Sequence, residues 1–383
     1  MIQTIEQIKA AYEFELENHK PPVTADDLPF TYEDITPQWL TAVLCSNTPG
    51  AEVVSYQLDR SDDGNSNRRR IFLQYNEEGI KAGMPASVFC KATQGLANRI
   101  SLGPPGAIQA EITFYSKIRP LLDIEAPVSL FGNVNPDTLN SILILADLGA
   151  DTLFCTHTTE ISHDRVKEQL RLLASYHGKF LGGDEHALIV ENYLTWPEFF
   201  SRIDYPDYEQ ACHKGFVNAQ EVIPPRLFAR RDEIWPATRK SVESHLRLPH
   251  TLSHGDVHLR NWYISPAGKM GLSDWQSITC SHWSRDVAYL IATSLSVEQR
   301  RLWEQELLRY YVDQLQQVSG QKLSFEGVFD LYRQQLLSAL TFWTVTLNPA
   351  PGMPDFQPLD STLEFIRRIV TAIDDHDALD SFS

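Results

Sequence analysis

The chain has 383 residues, of which 43% are hydrophobic and 22% are charged, and its formal net charge is −17. This length is enough for two packed lobes, and the composition is that of a globular protein. Because binding to nucleic-acid phosphates requires a basic surface, the net charge argues against nucleic acid as a main partner. No apolar run approaches the roughly 20 residues that cross a bilayer, so we expect no membrane insertion.

The cysteines are scattered, odd in number and without a CxxC pair: Cys45, Cys90, Cys155, Cys212 and Cys280. This usage favours a reducing compartment over a disulfide framework or a thiolate zinc site. The first 20 residues are amphipathic and acidic, whereas a targeting signal has a basic region followed by an apolar core. We therefore interpret them as part of the fold and expect a cytoplasmic protein.

The N-terminal part of the chain predicts two short helices followed by strands. The helices are expected at 5–18 and 35–45, the second capped by Thr36 ahead of Pro37. Strands are predicted at 52–60, 70–76, 87–93 and 141–145, with a helix at about 107–119. Strands and a helix in this order predict a small α+β lobe.

After Gly149 the pattern becomes helical. Ser162 is positioned to cap a helix that ends near Gly182, and a long helix is predicted at about 325–346. Ser296-x-x-Gln299 and Ser361-x-x-Glu364 have the spacing of capping boxes. We expect one β interruption in this region, at 262–274.

The segment Ser253–Gln276, SHGDVHLRNWYISPAGKMGLSDWQ, carries the strongest chemical pattern. Strand-like residues on either side of Pro266-Ala267-Gly268 predict a hairpin, which brings Asp274 back beside Asn261. A carboxylate and an amide oxygen suit Mg²⁺, which prefers oxygen ligands and keeps waters and phosphate oxygens. Asp256 is then left to accept a proton from a substrate.

This division of roles fits phosphoryl transfer. In kinases an Asp accepts the proton of the attacking hydroxyl, an Asn five residues later holds metal, and a downstream Asp holds metal between the phosphates. The corresponding residues are Asp256, Asn261 and Asp274.

HGDVHLRN followed by SDWQ resembles the HGDxxxxN and D-[FW]-[EQ] pair of the aminoglycoside phosphotransferase and choline kinase superfamily. The later sequence RDVAYL, residues 285–290, resembles the DLAYL element of its ecdysteroid-kinase-like branch. The resemblance implies a protein-kinase-like bilobal α+β fold: a lobe of residues 1–148 with an antiparallel sheet and a helix, and a mainly helical lobe of residues 149–383. It implies ATP or GTP as donor, Mg²⁺, a small hydroxyl-bearing substrate, and His254 and Asp286 as supports of the catalytic loop.

The first lobe gives an independent indication. Lys91 lies in an apolar strand, and Glu111 falls on the apolar face of the helix at 107–119. A carboxylate that points inward is costly unless a cation meets it, so we predict a Lys91–Glu111 ion pair. A kinase uses such a pair to hold the α- and β-phosphates, and the resemblance assigns the same roles.

Two further nucleotide contacts are predicted by analogy. The segment containing Leu145 and Asp147 resembles the hinge whose backbone binds adenine. The loop at 61–70, SDDGNSNRRR, contains only Gly64 and is not a GxGxxG loop, so backbone amides near Asn65 and Ser66 are the candidates for phosphate contact. The three arginines of that loop, Arg68–Arg70, could help in this contact, but we favour the interpretation of a solvated charge run.

Several alternatives remain open. His254 and His258 have the spacing of a helical zinc pair, but Gly255 disfavours a helix there; His258 is either near phosphate or structural. An acidic and aromatic stretch could bind an amine-bearing or flat substrate or could be an exposed surface: Glu198, Asp204, Asp207 and Glu209, with Trp196, Phe199, Phe200, Tyr205 and Tyr208.

Other functions fit the sequence less well than small-molecule phosphorylation. A protein kinase is disfavoured because HGD replaces HRD and no APE-like element follows. A non-catalytic nucleotide- or metabolite-binding module and a metal-dependent hydrolase built on His254, Asp256 and His258 are the remaining alternatives. The acceptor, the choice between ATP and GTP, and the oligomeric state are not predicted.

Overall fold

The computed structural model describes residues 3–203, 207–348 and 357–382. The chain divides into two compact units. The N-terminal unit extends to Leu122 and resumes at Pro127–Gly149, and the C-terminal unit comprises Asp123–Ala126 and the chain from Ala150. Asp204, Tyr205 and most of the Pro-rich stretch 348–358 lie outside the described residues.

The N-terminal unit is built on an antiparallel sheet. Its strands are β1 (Val53–Leu58), β2 (Asp62–Asp63), β3 (Asn67–Tyr75), β4 (Ser87–Ala92), β5 (Ser129–Val134) and β6 (Ser141–Ala146). The order is β1–β3–β4–β6–β5, with β2 pairing with β3. Three features of the strands differ from expectation: β2 lies in the segment predicted to be a loop, β3 begins at Asn67, so the three arginines belong to a strand, and β5 was not predicted.

The helices of this unit pack on both faces of the sheet. They are α1 (Ile5–Asn18), α2 (Pro37–Leu44), α3 (Glu77–Lys81), α4 (Leu96–Leu102) and α5 (Ala107–Thr113). Helix α2 lies on the face of Cys90 and Ile144, and α5 lies on the face of Lys91 and Leu143. Thr36 caps α2 by accepting the backbone N–H of Trp39 at 3.1 Å, as predicted. Trp39 and Leu40 pack with Ile71 and Ile144 of the sheet in one buried cluster. The predicted helix at 107–119 exists, but α5 continues after Thr113 as a π-helix, Phe114–Ile118.

The C-terminal unit is mainly helical, as expected. Its helices are α6 (His163–Phe180), α7 (His186–Asn192), α8 (Trp196–Ile203), α9 (Tyr208–Asn218), α10 (Pro225–Ala229), α11 (Arg231–Ser244), α12 (Ser284–Ser294), α13 (Val297–Ser319), α14 (Phe325–Thr346) and α15 (Leu359–Asp375). Every residue of α12 is buried, including Arg285 and Asp286. A helix buried all round can contact several neighbours at once, and α12 packs against α14, α15 and α6.

Short strands interrupt these helices at more than one place. They are β7 (Leu153–Phe154), β8 (Thr251–Ser253), β9 (Trp262–Ile264), β10 (Met270–Leu272) and β11 (Thr279–Ser281). The predicted hairpin is β9–β10, with Gly271 opposite Tyr263. The expectation of a single β interruption is wrong, because β7 extends this hairpin and β11 pairs with β8.

The two expected capping boxes have different outcomes. At Ser296 the box is present: Ser296 Oγ accepts the N–H of Gln299, and the Gln299 side chain accepts the N–H of Ser296. At Ser361 the prediction is wrong, because α15 begins at Leu359, directly after Pro358. The Ser361 hydroxyl instead accepts a hydrogen bond from Arg260 at 2.8 Å.

Residues 123–126 join the C-terminal unit through the hairpin. The Glu125 carbonyl accepts the N–H of Leu272 at 3.0 Å, and its carboxylate accepts the Tyr263 hydroxyl at 3.2 Å. The short segment thereby continues the hydrogen bonding of the hairpin beyond its two strands. Among the described helices, none combines the length and the apolar character that crossing a bilayer requires.

Candidate functional site

The loop that follows β8 is fixed by a buried carboxylate of α12. Asp286, fully buried, accepts the backbone N–H groups of His254 (2.7 Å) and Gly255 (2.9 Å) and the Ser253 hydroxyl (2.9 Å). His177 Nε2 lies 3.2 Å from the same carboxylate. Burial alone would raise the pKa of Asp286, but the hydrogen bond from His177 and the nearby positive groups hold it well below its ordinary value. Asp286 therefore stays ionised and braces the loop.

The turn of the loop depends on Gly255. Its φ is +82°, a left-handed conformation that a residue with a Cβ adopts only at a cost. A Cβ at this position would also collide with the carbonyl oxygen of Ser277. The Gly255 carbonyl accepts a hydrogen bond from the buried Arg285, whose guanidinium lies 3.9 Å from the Trp196 ring centroid. Two consecutive residues of α12 thus hold the backbone of the turn.

Asp256 follows this turn with its side chain 29% exposed. Its Oδ1 accepts the Tyr289 hydroxyl at 3.1 Å, and its Oδ2 lies 3.4 Å from Nε2 of His258. Burial alone would raise the pKa of Asp256, but His258, His254 and Tyr289 together lower it to about 2. The carboxylate is therefore ionised at neutral pH and is able to accept hydrogen bonds.

Asn261 connects Asp256 to the hairpin. Its Nδ2 donates to the Asp256 carbonyl at 2.7 Å and lies 3.3 Å from Asp256 Oδ2. The amide oxygen, Oδ1, therefore points away from Asp256. Its own carbonyl accepts both the N–H and the hydroxyl of Ser273 at 2.9 Å. These bonds bring the backbone of Ser273 to Asn261, and Asp274 is the residue that follows Ser273. Asp274 has φ +62°, a conformation uncommon for a non-glycine residue and frequent at functional sites.

His254 lies fully buried between the loop and the hairpin. Its Nε2 is 3.0 Å from the Ser273 carbonyl, and its Nδ1 accepts the backbone N–H of Asp256 at 3.2 Å. Both ring nitrogens are thus engaged, which argues against the zinc pair with His258. In the described ranges, no group of three or more His, Cys, Asp or Glu side chains is arranged to hold a metal ion.

The N-terminal unit contains the expected lysine–glutamate contact. Lys91 Nζ, on β4, lies 2.6 Å from Glu111 Oε1, on α5. The two side chains are only 9% and 6% exposed. Lys91 stands opposite Leu143 and Arg68 in the sheet, so the strand that carries it is paired on both sides. The pair is rigidly placed and largely screened from water.

The loop between β1 and β3 is braced by side-chain amides. Asn98 Nδ2 donates to the carbonyls of Gly64 (3.0 Å) and Asn65 (2.8 Å). Asn67 Oδ1 accepts the N–H of Gln94 at 3.0 Å. Ser66 is 5% exposed within this loop. The Asn98 side chain, on α4, therefore fixes a turn that contains a single glycine, and Asn67 connects the start of β3 to the segment after β4.

Asp147 has a structural partner that the sequence did not reveal. Its carboxylate accepts Arg70 Nε at 2.7 Å and the Ser87 hydroxyl at 2.6 Å. Arg70 is thus part of an ion pair and does not simply extend into solvent, as the interpretation of a solvated charge run supposed. Leu145 lies inside β6, opposite Phe89 and Ser129. The Asp147 side chain is therefore engaged with β3 and β4.

The aromatic residues that the structure describes in the acidic and aromatic stretch are buried, so the stretch is not simply an exposed surface. Trp196, Phe199, Phe200 and Tyr208 belong to one buried cluster. Glu198 accepts the N–H and hydroxyl of Thr195 at 2.8 Å, which is the role of a helix cap. Asp207 and Glu209 are exposed. The described aromatic residues of the stretch thus have a packing function in α8 and α9.

Sequence reasoning missed Tyr289, whose hydroxyl reaches Asp256. The available signal was spacing: Tyr289 lies four residues after Arg285 and three after Asp286, so all three share one side of a helix. A helix that contacts the loop through Arg285 and Asp286 also presents Tyr289 to it.

The chain is similar to known proteins in sequence. The model of the ecdysteroid kinase-like family matches residues 66–325. An uncharacterized kinase-like protein of Caenorhabditis elegans is 21% identical over 212 residues, which cover 52% of this chain and 54% of that protein. The chain thus spans about half the length of this curated relative.

Solved structures resemble the chain in fold. A protein of Ralstonia eutropha, described as a candidate aminoglycoside phosphotransferase, has 11% identity and a TM-score of 0.50, with 88% of this chain and 97% of that chain covered. Choline kinase LicA of Streptococcus pneumoniae has 13% identity and a TM-score of 0.47, with 88% and 98% covered. With the antiparallel sheet of one unit and the helices of the other, the expected protein-kinase-like bilobal fold is confirmed.

Proposed function

We propose, since this chain belongs to the ecdysteroid kinase-like family, that it transfers the γ-phosphoryl group of ATP or GTP to a hydroxyl group of a small molecule. The fold and the family support a small-molecule kinase in general. The matched range, residues 66–325, contains every residue to which we assign a role.

The observation that carries the proposal is the hydrogen-bonded chain from Asp256 through Asn261 to Ser273. Asn261 bonds Asp256 with its amide nitrogen and Ser273 with its carbonyl. These bonds bring Ser273, and with it the following residue Asp274, to the segment that carries Asp256 and Asn261. Their proximity supports the assignment of Asp256 as proton acceptor and of Asn261 and Asp274 as ligands of a cation. Phosphoryl transfer requires such positioned groups and little covalent chemistry from the protein.

The donor set fits Mg²⁺. Asn261 and Asp274 supply an amide oxygen and a carboxylate, and a hard cation with few protein ligands completes its shell with water and phosphate oxygens. When bound, Mg²⁺ would neutralise charge on the phosphates. The small number of protein ligands agrees with a cation that arrives together with a nucleotide.

The remaining assignments concern the nucleotide. Lys91, oriented by Glu111, would contact the α- and β-phosphates, and backbone amides near Ser66 would contact the phosphates from the loop. Adenine or guanine would meet the backbone of the segment containing Leu145 and Asp147. His254 and Asp286 support the catalytic loop and do not contact substrate.

Asp256 is the proposed base. As the acceptor oxygen forms its bond to the γ-phosphorus, the bond from phosphorus to the bridging oxygen of the nucleoside diphosphate breaks, and the hydroxyl proton passes to Asp256. A carboxyl group with a pKa of about 2 is a weak base, so it takes the proton late, when bonding to phosphorus has made that proton acidic.

A screen of hydroxyl-bearing metabolites tests the proposal. The chain is incubated with ATP or GTP, MgCl₂ and aminoglycosides, macrolides, sterols or amino alcohols, and release of nucleoside diphosphate is measured alongside the mass of the product. We expect release that depends on one acceptor class and is lost in Asp256→Ala. Release that is equal in the variant, or absent with every acceptor, would contradict the proposal.

A further inference from the structure

The Asp256 carboxylate is contacted by side-chain donors at both of its oxygens. Oδ1 accepts the Tyr289 hydroxyl at 3.1 Å. Oδ2 lies 3.4 Å from His258 Nε2 and 3.3 Å from Asn261 Nδ2. A carboxylate offers about four lone-pair directions. Among the described residues, one donor thus approaches Oδ1 and two approach Oδ2, so Oδ1 keeps a lone pair beyond these contacts.

His258 is placed to serve this carboxylate. Its side chain is almost wholly buried, and its ring centroid lies 5.1 Å from that of Trp343 and 5.8 Å from that of Phe365. Within the described part of the chain, its buried Nδ1 has no hydrogen-bond partner. Aromatic rings do not replace the hydrogen bonds that imidazole makes in water. The polar contact of the ring is therefore concentrated at Nε2, which faces Asp256.

The position of the imidazole hydrogen follows from these contacts. A neutral imidazole carries one N–H. If the hydrogen is on Nε2, it points to the Asp256 carboxylate. If it were on Nδ1, it would be buried without an acceptor among the described residues, and the lone pair of Nε2 would face a negatively charged oxygen. Of the two neutral forms, the one with its hydrogen on Nε2 is thus the more stable. Its contact is longer than an ordinary hydrogen bond of about 2.9 Å, and such contacts tighten when substrate binds.

Tyr289 approaches from the other side. It is fully buried on α12, one turn after Arg285 and Asp286. Those two residues fix the backbone of the loop, since Arg285 donates to the Gly255 carbonyl and Asp286 accepts the N–H of Gly255. One rigid helix therefore determines both the path of the loop and the orientation of its carboxylate.

We infer that His258 and Tyr289 are positioning residues, which hold the Asp256 carboxylate between them and turn the remaining lone pair of Oδ1 toward the acceptor hydroxyl. The inference rests on the proposed phosphoryl transfer and names the atom that receives the proton. Loss of either donor lets the carboxylate rotate away from the hydroxyl. The rate of transfer then falls, whereas nucleotide binding, which involves other residues, is retained.

Two substitutions at His258 form a matched pair. The amide nitrogen of glutamine can occupy the place of Nε2, whereas that of the shorter asparagine reaches only the place of Nδ1. His258→Gln is expected to keep most of kcat, and His258→Asn and Tyr289→Phe are expected to lose about 10- to 100-fold, as for other supporting residues. The nucleotide KM should stay near that of the wild type in all three. Equal kcat values in His258→Gln and His258→Asn would overturn the positioning role.

A second measurement does not require activity. In protein labelled with ¹⁵N-histidine, the His258 signals are identified by their absence in His258→Gln, and the protonated nitrogen is read from the chemical shifts. We expect a hydrogen on Nε2, and a ring protonated on Nδ1 alone would overturn the inference. A wild type inactive with every acceptor contradicts the proposed function alone, and the tautomer still decides the placement of His258. An active wild type with a fully active His258→Asn contradicts the inference alone.

Discussion

The Nζ atom of Lys91 and the Oε1 atom of Glu111 lie 2.6 Å apart, on a strand and a helix of the same unit, with little exposure of either side chain. Removing one partner of a buried ion pair is strongly destabilising. We expect Glu111→Gln to lower the free energy of unfolding by about 3–5 kcal/mol, measured by urea denaturation.

The exposed pair Lys81–Glu77 is the control for this change. Its atoms are 3.6 Å apart and its side chains are 71% and 85% exposed, so Glu77→Gln should cost less than about 1 kcal/mol. The double variant Lys91→Met/Glu111→Leu should recover much of the stability and still bind nucleotide poorly. Equal stability losses in Glu111→Gln and Glu77→Gln would show that the buried pair has no special weight.

Asp256→Asn is expected to reduce turnover by about 10²–10⁴-fold, the usual effect of removing a general base. Nucleotide affinity should remain close to that of the wild type, because the substituted oxygen accepts the substrate proton and does not bind the phosphates. Steady-state kinetics and calorimetric titration measure the two quantities. Asp313→Asn, on the exposed side of α13, is the matched control and should leave both unchanged. Near-normal turnover in Asp256→Asn would exclude Asp256 as the general base.

Asp274→Ala tests the cation role. We expect it to abolish the part of the nucleotide affinity that depends on Mg²⁺, because the carboxylate is one of two proposed protein ligands. Calorimetric titration with nucleotide is performed in MgCl₂ and again in EDTA. In EDTA, variant and wild type should bind alike. A variant whose affinity in MgCl₂ equals that of the wild type would exclude Asp274 as a ligand.

Gly255→Ala should damage the catalytic loop more than Gly268→Ala damages the hairpin turn. Both glycines have left-handed φ values, +82° and +77°, so both substitutions incur backbone strain of about 1–2 kcal/mol. Only at Gly255 does the added Cβ collide with a backbone oxygen, that of Ser277; around Gly268 there is open space. We expect an additional loss of about 1–3 kcal/mol for Gly255→Ala, seen as a lower Tm. Equal Tm values would mean that the loop moves to accommodate the methyl group.

His245 makes stability depend on pH. Burial, the largest effect, lowers its pKa from the ordinary value to about 4. Between about pH 4 and 6.5 the unfolded chain therefore binds a proton that the folded chain does not, and stability falls as the pH decreases through this window. The contribution of His245 is roughly 3 kcal/mol.

Urea midpoints at pH 7 and pH 5 measure this dependence. His245→Gln should show a smaller decrease between the two pH values than His213→Gln, in which the substituted histidine is exposed. Identical decreases in the two variants would contradict the assignment.

Much of the candidate site was predictable because its signals are local. The β9–β10 hairpin follows from alternation around a Pro-Ala-Gly turn, and the Lys91–Glu111 contact follows from one inward-pointing acid on an apolar helical face. Both inferences need only the neighbouring residues and the cost of burying an unpaired charge. The contact of Asp256 with Tyr289 spans 33 residues and depends on how α12 packs, which spacing suggests but does not determine.

The features that sequence reasoning missed have nonlocal causes. Strand β5 is only partly buried along its length and has an irregular register with β6, so its residues show no clean alternation. Arg70 lies in a polar run, but its partner Asp147 is 77 residues away. Ser361 has the spacing of a helix cap, but its hydroxyl accepts a hydrogen bond from Arg260, which lies 101 residues earlier. Tertiary partners determined each outcome.

The return of residues 123–126 into the C-terminal unit has a consequence for recombination between relatives. Glu125 supplies the acceptor for the backbone of Leu272 and for the Tyr263 hydroxyl, so a polypeptide beginning at Ala150 would fold with that edge of the hairpin unsatisfied. A single crossover after Gly149 would transfer residues 123–126 together with the N-terminal unit. Glu125 would then face the hairpin of the other parent protein. Chimaeras that keep Glu125 and the hairpin from the same parent protein need three junctions, after Leu122, after Ala126 and after Gly149.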